Sequence, residues 1–162
     1  MDTEWTRARA EKSLSQMMEW IGRHDSRSAG LTAITMAMMG ALSTAAPPVK
    51  QWTPLFMAAM ALCAGCFGFV LYQIMRGVIP RIRTSNKPSM SFFGTVAHMP
   101  QAEFVQRFTT MTEDDYLEDV LGQVYVNARI LRSKFRCLKR GQIGLIVAGA
   151  PWVWALYMAK SL

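Results

Sequence analysis

Residues 29–46, 54–75 and 141–158 of this 162-residue chain contain no Asp, Glu, Lys or Arg. At about 1.5 Å of rise per residue, a helix of such length crosses most or all of a hydrocarbon layer roughly 30 Å thick. The first and third runs lie near the lower length limit. Acid is scarce elsewhere too: 11 Asp and Glu stand against 18 Lys and Arg, a formal charge of +7. The first 28 residues mix acids and bases and hold no uninterrupted apolar h-region, so no cleavable signal peptide is expected and the first apolar run is itself the insertion signal. The two histidines, His24 and His98, are far apart in the chain. With no His–carboxylate cluster, no serine nucleophile motif and no glycine-rich phosphate loop, the chain is not expected to be an enzyme, and neither a metal nor a cofactor is expected. Of the three cysteines, Cys63 and Cys66 form a Cys-Ala-Gly-Cys run inside the second apolar stretch. Lacking a second ligand pair, they read as small apolar filler. Cys137 stands alone among basic residues and is assigned no chemistry.

What is present in quantity is basic charge, and its placement gives an orientation. Arg7, Arg9, Lys12, Arg23 and Arg27 precede the first apolar run, eleven Lys and Arg lie between the second and third, and only Lys50 and Lys160 remain. The positive-inside rule then puts the N-terminus and the central region in the cytoplasm. The expected fold is an all-α integral membrane protein, with three transmembrane helices and a small helical cytoplasmic domain between the second and third. The boundaries are a cytoplasmic amphipathic helix and linker at 1–28, a transmembrane hairpin at 29–75, a cytoplasmic helical sensor region at 76–140, and a third span with a short external tail at 141–162. A pI of about 9.7 is explained by topology and anionic head groups, so no nucleic-acid polymer is expected as partner.

Along the chain, Leu14, Met17, Met18 and Ile21 recur at helical spacing in a short amphipathic helix over 3–23. The polar cluster at 24–28 then reads as a helix cap and interface anchor; alternatively, Asp25 and Arg27 hold a cytoplasmic helix or a ligand. Ala29, Ala33, Ala37, Ala41 and Ala45 repeat every four residues as a smooth stripe for packing, with Ala61, Gly65 and Gly68 as a matching surface on the second span. Pro47, Pro48, Trp52 and Pro54 mark a tight external hairpin. The segment 76–88 is basic and broken by Gly77, Pro80 and Pro88, which predicts a loop. A turn at 92–94 and a short helix at 102–111 follow. Thr112, with Asp115 three positions on, starts a new helix whose first-turn acids match its dipole. That helix carries the most regular pattern in the polar region: Leu117, Leu121, Val124, Ala128, Leu131, Phe135 and Leu138 form a heptad seam that must pack on its own chain or on another copy. No break separates it from the third span. Pro151 is a candidate kink, and Trp152, Trp154 and Tyr157 belong near the far interface.

Polar residues after the acids are Gln123, Tyr125, Asn127, Arg129, Arg132, Lys134 and Arg136, read as one face. They offer an aromatic surface, amides and cations suited to a small phosphorylated ligand, although a solvated positive-inside helix end has the same composition.

The segments HDSRSAGL (24–31), SFFGTVAHM (91–99), EFVQRFTTMT (103–112) and YLEDVLGQVYVNARILRSKFRCLKRG (116–141) together resemble the membrane effectors of Pycsar, a bacterial antiphage system. The resemblance runs along the whole chain and is most specific over 91–141. It implies a multi-pass protein of the bacterial inner membrane, activated by cyclic CMP or cyclic UMP from a neighbouring cyclase, which impairs the membrane and stops growth of the infected cell. The lipid bilayer, the cyclic pyrimidine nucleotide and further copies of the chain are then its partners, with self-association through the 117–138 seam and the Ala-rich first span. Asp25, Arg27, Phe93, Gln123, Tyr125, Asn127 and Arg129 lie in the matching segments and become the ligand or signal-coupling candidates. By side-chain chemistry Arg129 would meet the phosphate, Asn127 or Gln123 the base edge, and Tyr125 would stack. A different trigger, either a cyclic oligonucleotide or a phage protein, and a non-signalling membrane scaffold are the alternatives.

Overall fold

The computed structural model describes residues 3–79 and 89–161. Its elements are α1 (Thr3–Ala45), a 3-10 turn (Val49–Gln51), α2 (Pro54–Val78), α3 (Phe93–Val96), α4 (Gln101–Thr110) and α5 (Glu113–Ser161), with no strand among the described residues. Helices α1, α2 and α5 are each long and apolar enough to cross a membrane, as the three uncharged runs predict.

Two boundaries differ from expectation. The cluster at 24–28 does not cap or interrupt anything, because α1 is one helix from Thr3 to Ala45. It contains neither Pro nor Gly, and His24 and Ser28 are buried inside the fold at 1% and 3% exposure instead of turning back to cap a helix end. Likewise α2 continues through Arg76 and Gly77 to Val78. The remainder of the expected loop, residues 80–88, lies outside the described residues.

The chain divides into two compact units, Met1–Arg23 with Pro80–Ser133 and His24–Ile79 with Lys134–Leu162. In the second unit, α1 and α5 run in the same direction: Asp25 meets Lys134, and further along the Trp152 indole N–H donates to the Met38 carbonyl at 2.9 Å. The hairpin reverses α2 against both. Trp52 closes that hairpin by donating to the Pro47 carbonyl at 2.9 Å, and Thr53 caps α2 by accepting from the Phe56 N–H. Pro54 at the first turn loses no hydrogen bond there.

Packing in this unit follows a heptad step. His24, Ser28, Leu31, Thr35 and Leu42 are buried along α1, and Phe56, Ala59, Cys63, Phe67, Val70, Gln73 and Gly77 along α2. On α5, Gly141, Ala148 and Ala155 face inward. The alanine stripe is not this face, since Ala29, Ala33, Ala37 and Ala41 are exposed, as are Ala61, Gly65 and Gly68. A strict four-residue repeat drifts about 40° per step around a helix, so it forms a slanted ridge instead of a straight contact line. Close approach is achieved by other glycines. A Cβ at Gly141 would lie 3.0 Å from Leu31 Cδ2, and one at Gly144 would lie 2.9 Å from Phe69 Cδ1.

In the first unit few apolar side chains are buried: Ala10, Met90 and Val120, beside the polar Ser89 and Gln123. Thr112 begins α5 as the spacing predicts, its hydroxyl accepting from the Asp115 N–H and donating to the Asp115 carboxylate. The heptad seam on α5 is offset. Leu121 is 48% exposed while Val120 and Gln123 are buried, so here the inward register lies one residue earlier than the apolar one, although Leu138 at the far end of the seam is buried.

Candidate functional site

In the first unit the elements around the start of α5 are tied by polar links. The Tyr116 hydroxyl donates to Glu11 Oε1 at 3.0 Å, the Arg7 Nε–H donates to the same oxygen at 3.1 Å, and the Arg7 guanidinium lies 5.1 Å from the Tyr116 ring centroid. Hydrogen bonds from Arg7 and Tyr116 hold the Glu11 carboxyl below the ordinary 4.5. Burial, and then the bond to Glu11, push the Tyr116 phenol above the ordinary 10.0. Asp119 accepts from the Ser91 backbone N–H at 3.0 Å and so fastens the 89–94 segment to α5. Phe93 opens α3 instead of sitting in a turn, 73% exposed. Its ring lies 5.0 Å from that of Phe92. A Cβ on Gly94 would come within 2.5 Å of the Phe92 ring, so glycine makes room for this aromatic pair.

Four nucleotide candidates on α5 separate into two pairs. Gln123 is buried and Asn127 half-buried, whereas Tyr125 and Arg129 are exposed. On a helix, residues two apart point to nearly opposite sides and residues four apart share one. The supposed single face is therefore two faces. The outward one holds a preformed pair, with the Arg129 guanidinium 5.8 Å from the Tyr125 ring centroid.

In the second unit Asp25 and Lys134 meet where the uncharged parts of α1 and α5 begin. The Lys134 ammonium donates to Asp25 Oδ1 at 2.7 Å, and His24 Nδ1 lies 3.1 Å from the same oxygen. Because a carboxylate only accepts, Nδ1 carries the hydrogen, and His24 Nε2 is left buried with no partner among the described residues. Burial opposes ionisation of Asp25, but hydrogen bonds from Lys134 and His24, with the Lys134 charge, hold its carboxyl below the ordinary 3.8. The His24 ring packs edge-on against Phe135 at 5.6 Å and faces Gly77 of α2, where a Cβ would lie 3.6 Å from His24 Cε1 and 3.4 Å from Cys137 Cβ. One turn away, Gln73 is buried with Oε1 unpartnered among the described residues. Arg27 is exposed.

The junction of His24, Asp25, Gln73, Gly77 and Lys134 was only partly legible in the sequence. The sequence reads Asp25 as holding a cytoplasmic helix or a ligand, and in the structure it meets Lys134 of α5. Gln73 carried a signal that was missed, because it is the one side-chain amide of the 54–75 run and a polar residue in a span usually faces the bundle interior. Buried His24 gave no comparable signal. Among the described residues no group of three or more His, Cys, Asp or Glu side chains is arranged to hold a metal.

Three membrane-length helices, a polar junction at one end of their bundle and a helical unit with little apolar core define a helical membrane protein with a polar-linked portion. The chain belongs to the PycTM family, described as the Pycsar effector protein domain, which it matches over residues 9–159. It is also similar to "Pycsar effector protein GmPycTM" of Gulbenkiania mobilis, 33% identical over 63 residues, which is 39% of this chain and 32% of that protein. The aligned part thus spans about a third of the length of that curated relative. No solved structure matches. The family's description is that of an effector domain, and the three membrane-length helices support a membrane protein.

Proposed function

We propose that this chain is an inner-membrane effector of a bacterial antiphage system, switched on by cyclic CMP or cyclic UMP and acting by impairing the membrane of the infected cell. Family membership across residues 9–159 is the observation that carries this. The N-terminus and residues 76–140 face the cytoplasm in this proposal, supported by the eleven Lys and Arg of 76–140 and by the five before residue 29. Tyr125 and Arg129 receive the ligand, the ring stacking on the base and the guanidinium meeting the phosphate. Gln123 and Asn127, on the inward face, sense the ligand through packing.

Coupling is a population shift in α5. Over 120–134 the inward register includes buried Val120 and Gln123 and, further on, half-buried Lys134, while the apolar seam of Leu117, Leu121, Val124 and Leu131 lies one residue over. One residue on a helix is about 100° of rotation. Turning this part of α5 by that amount exchanges a mixed register for an apolar one. The apolar seam then assembles with other copies, aided by the exposed Ala29–Ala41 ridge, and the Asp25–Lys134 link is what the turn must break. Ala128→Glu should abolish assembly and toxicity without preventing insertion.

The experiment is calorimetric titration of the detergent-purified full chain with cyclic CMP and cyclic UMP, with cyclic AMP, cyclic GMP and cyclic dinucleotides as controls. Micromolar binding of one pyrimidine alone, lost in Arg129→Ala, is expected. Silence from every nucleotide with folded protein overturns the nucleotide trigger, and full depolarisation of cells by Ala128→Glu overturns the coupling.

A further inference from the structure

Helices α2 and α5 do not close completely on one side of the second unit. Between them runs a groove of about 530 Å³, lined by Leu62, Gly65, Cys66 and Phe69 of α2 and by Arg140, Gly144 and Val147 of α5, among others. This volume falls within the range typical of small-molecule sites. The walls are almost wholly apolar, and at Gly65 the space is open, since a Cβ there would meet nothing within 4 Å. An apolar void between spans forfeits dispersion contacts on every wall, so in a bilayer it is filled.

One end of the groove is different. Arg140 is the single charged residue lining it, is exposed, and has no hydrogen bond or ion pair to any described residue. It immediately precedes the uncharged 141–158 run, which places it at head-group depth. From Arg140 to Val147 the groove follows α5 inward for about 10 Å at 1.5 Å per residue. A cation at the interface with an apolar channel leading inward has the shape and charge of one lipid chain below its phosphate.

We propose that this groove seats one acyl chain of an anionic phospholipid, with the phosphate held by Arg140. A guanidinium binds phosphate oxygens with two parallel N–H donors, and the basic end of the bundle favours a net negative head group over a zwitterionic one. The occupied groove makes the lipid part of the α2–α5 contact, and does so whatever molecule triggers the effector.

The test is native mass spectrometry of the detergent-purified full chain with phosphatidylglycerol, phosphatidylcholine of identical chains, and glycerol phosphate. One phosphatidylglycerol per chain should be retained, with phosphatidylcholine about five-fold weaker and glycerol phosphate not binding. Gly65→Leu, which fills open space, and Val147→Phe, which fills the groove from α5, should each lose the lipid. Arg140→Gln, a surface change with no packing role, should equalise the two lipids. The proposal is overturned if both filling variants keep phosphatidylglycerol, if Arg140→Gln leaves the preference intact, if glycerol phosphate binds as well as the whole lipid, or if wild type carries no lipid and a second copy fills the groove instead.

Discussion

The two units of this chain are held by different physics. The second buries Phe56, Phe67, Val70, Ala148 and Ala155 at 2% exposure or less, with glycines at close crossings, and rests on dispersion contacts between helices. In the first, Ala10, Met90 and Val120 are the only buried apolar residues among those described, and the contacts that join its elements include Glu11 with Tyr116 and Ser91 with Asp119. It also leaves Trp5, Phe93, Phe108 and Tyr125 more than half exposed. Segments with few buried apolar contacts open at low free energy. The first unit can therefore be reshaped at lower cost than the second.

Damage to the packed unit should be the larger. Phe67 is 2% exposed within the cluster of Leu42, Ala59, Cys63 and Ala148, and Phe67→Ala should lower stability by about 3 kcal/mol through lost contacts and cavity formation. Thermal unfolding in detergent reads this as a drop in midpoint. A shift no larger than that of an exposed α2 substitution such as Met57→Ala would show that the bundle is not packed as described.

An intermediate effect is expected at the polar end. Lys134→Ala should cost about 1 kcal/mol, since the Asp25 side chain is 49% exposed and the pair is partly screened. Its greater consequence is functional, because an α5 released from Asp25 should trigger at lower ligand concentration; an unchanged dose response in cells would remove this link from the coupling. Asp25 also gives a pH signature. Its folded carboxyl lies below the ordinary 3.8, so its contribution is complete above that value and is lost as pH falls through the depressed folded value. Lys134→Ala should flatten this acid limb of the stability curve.

The three spans were legible because the uncharged runs are a composition signal, and the α5 start was legible because Thr112 and Asp115 stand at capping distance. What faced what was not. Within a span every face is apolar, so periodicity carries little information, and the regular alanines form an exposed ridge while Leu31, Thr35 and Leu42 do the packing. The α5 seam misled for a related reason. Its most hydrophobic stripe is adjacent to the inward one, and buried Gln123 is chosen by tertiary contact, which residue type alone does not reveal. The two-residue spacing of Gln123, Tyr125, Asn127 and Arg129 belongs to a strand face, and helical geometry divides it.

The smallest effect, and the sharpest test of how the polar-linked unit is held, is expected from Tyr116→Phe. The ring stays beneath Arg7, and only the hydroxyl that donates to Glu11 is removed. Two pH limbs separate its contributions. The folded Glu11 carboxyl lies below 4.5, so its stabilisation is present above that value and lost as pH falls through the depressed one. The folded Tyr116 phenol lies above 10.0, so its stabilisation is present below that value and lost as pH rises through the raised one. Tyr116→Phe should abolish the alkaline limb and leave a weaker acid limb carried by Arg7 and Glu11. Amide exchange around residues 7–11 and 113–120 is the measurement, and it should accelerate modestly at neutral pH while the bundle amides of α2 stay protected. Equal acceleration in α2 would mean that the two units unfold as one, and the contrast between a packed unit and a polar-linked one would fail.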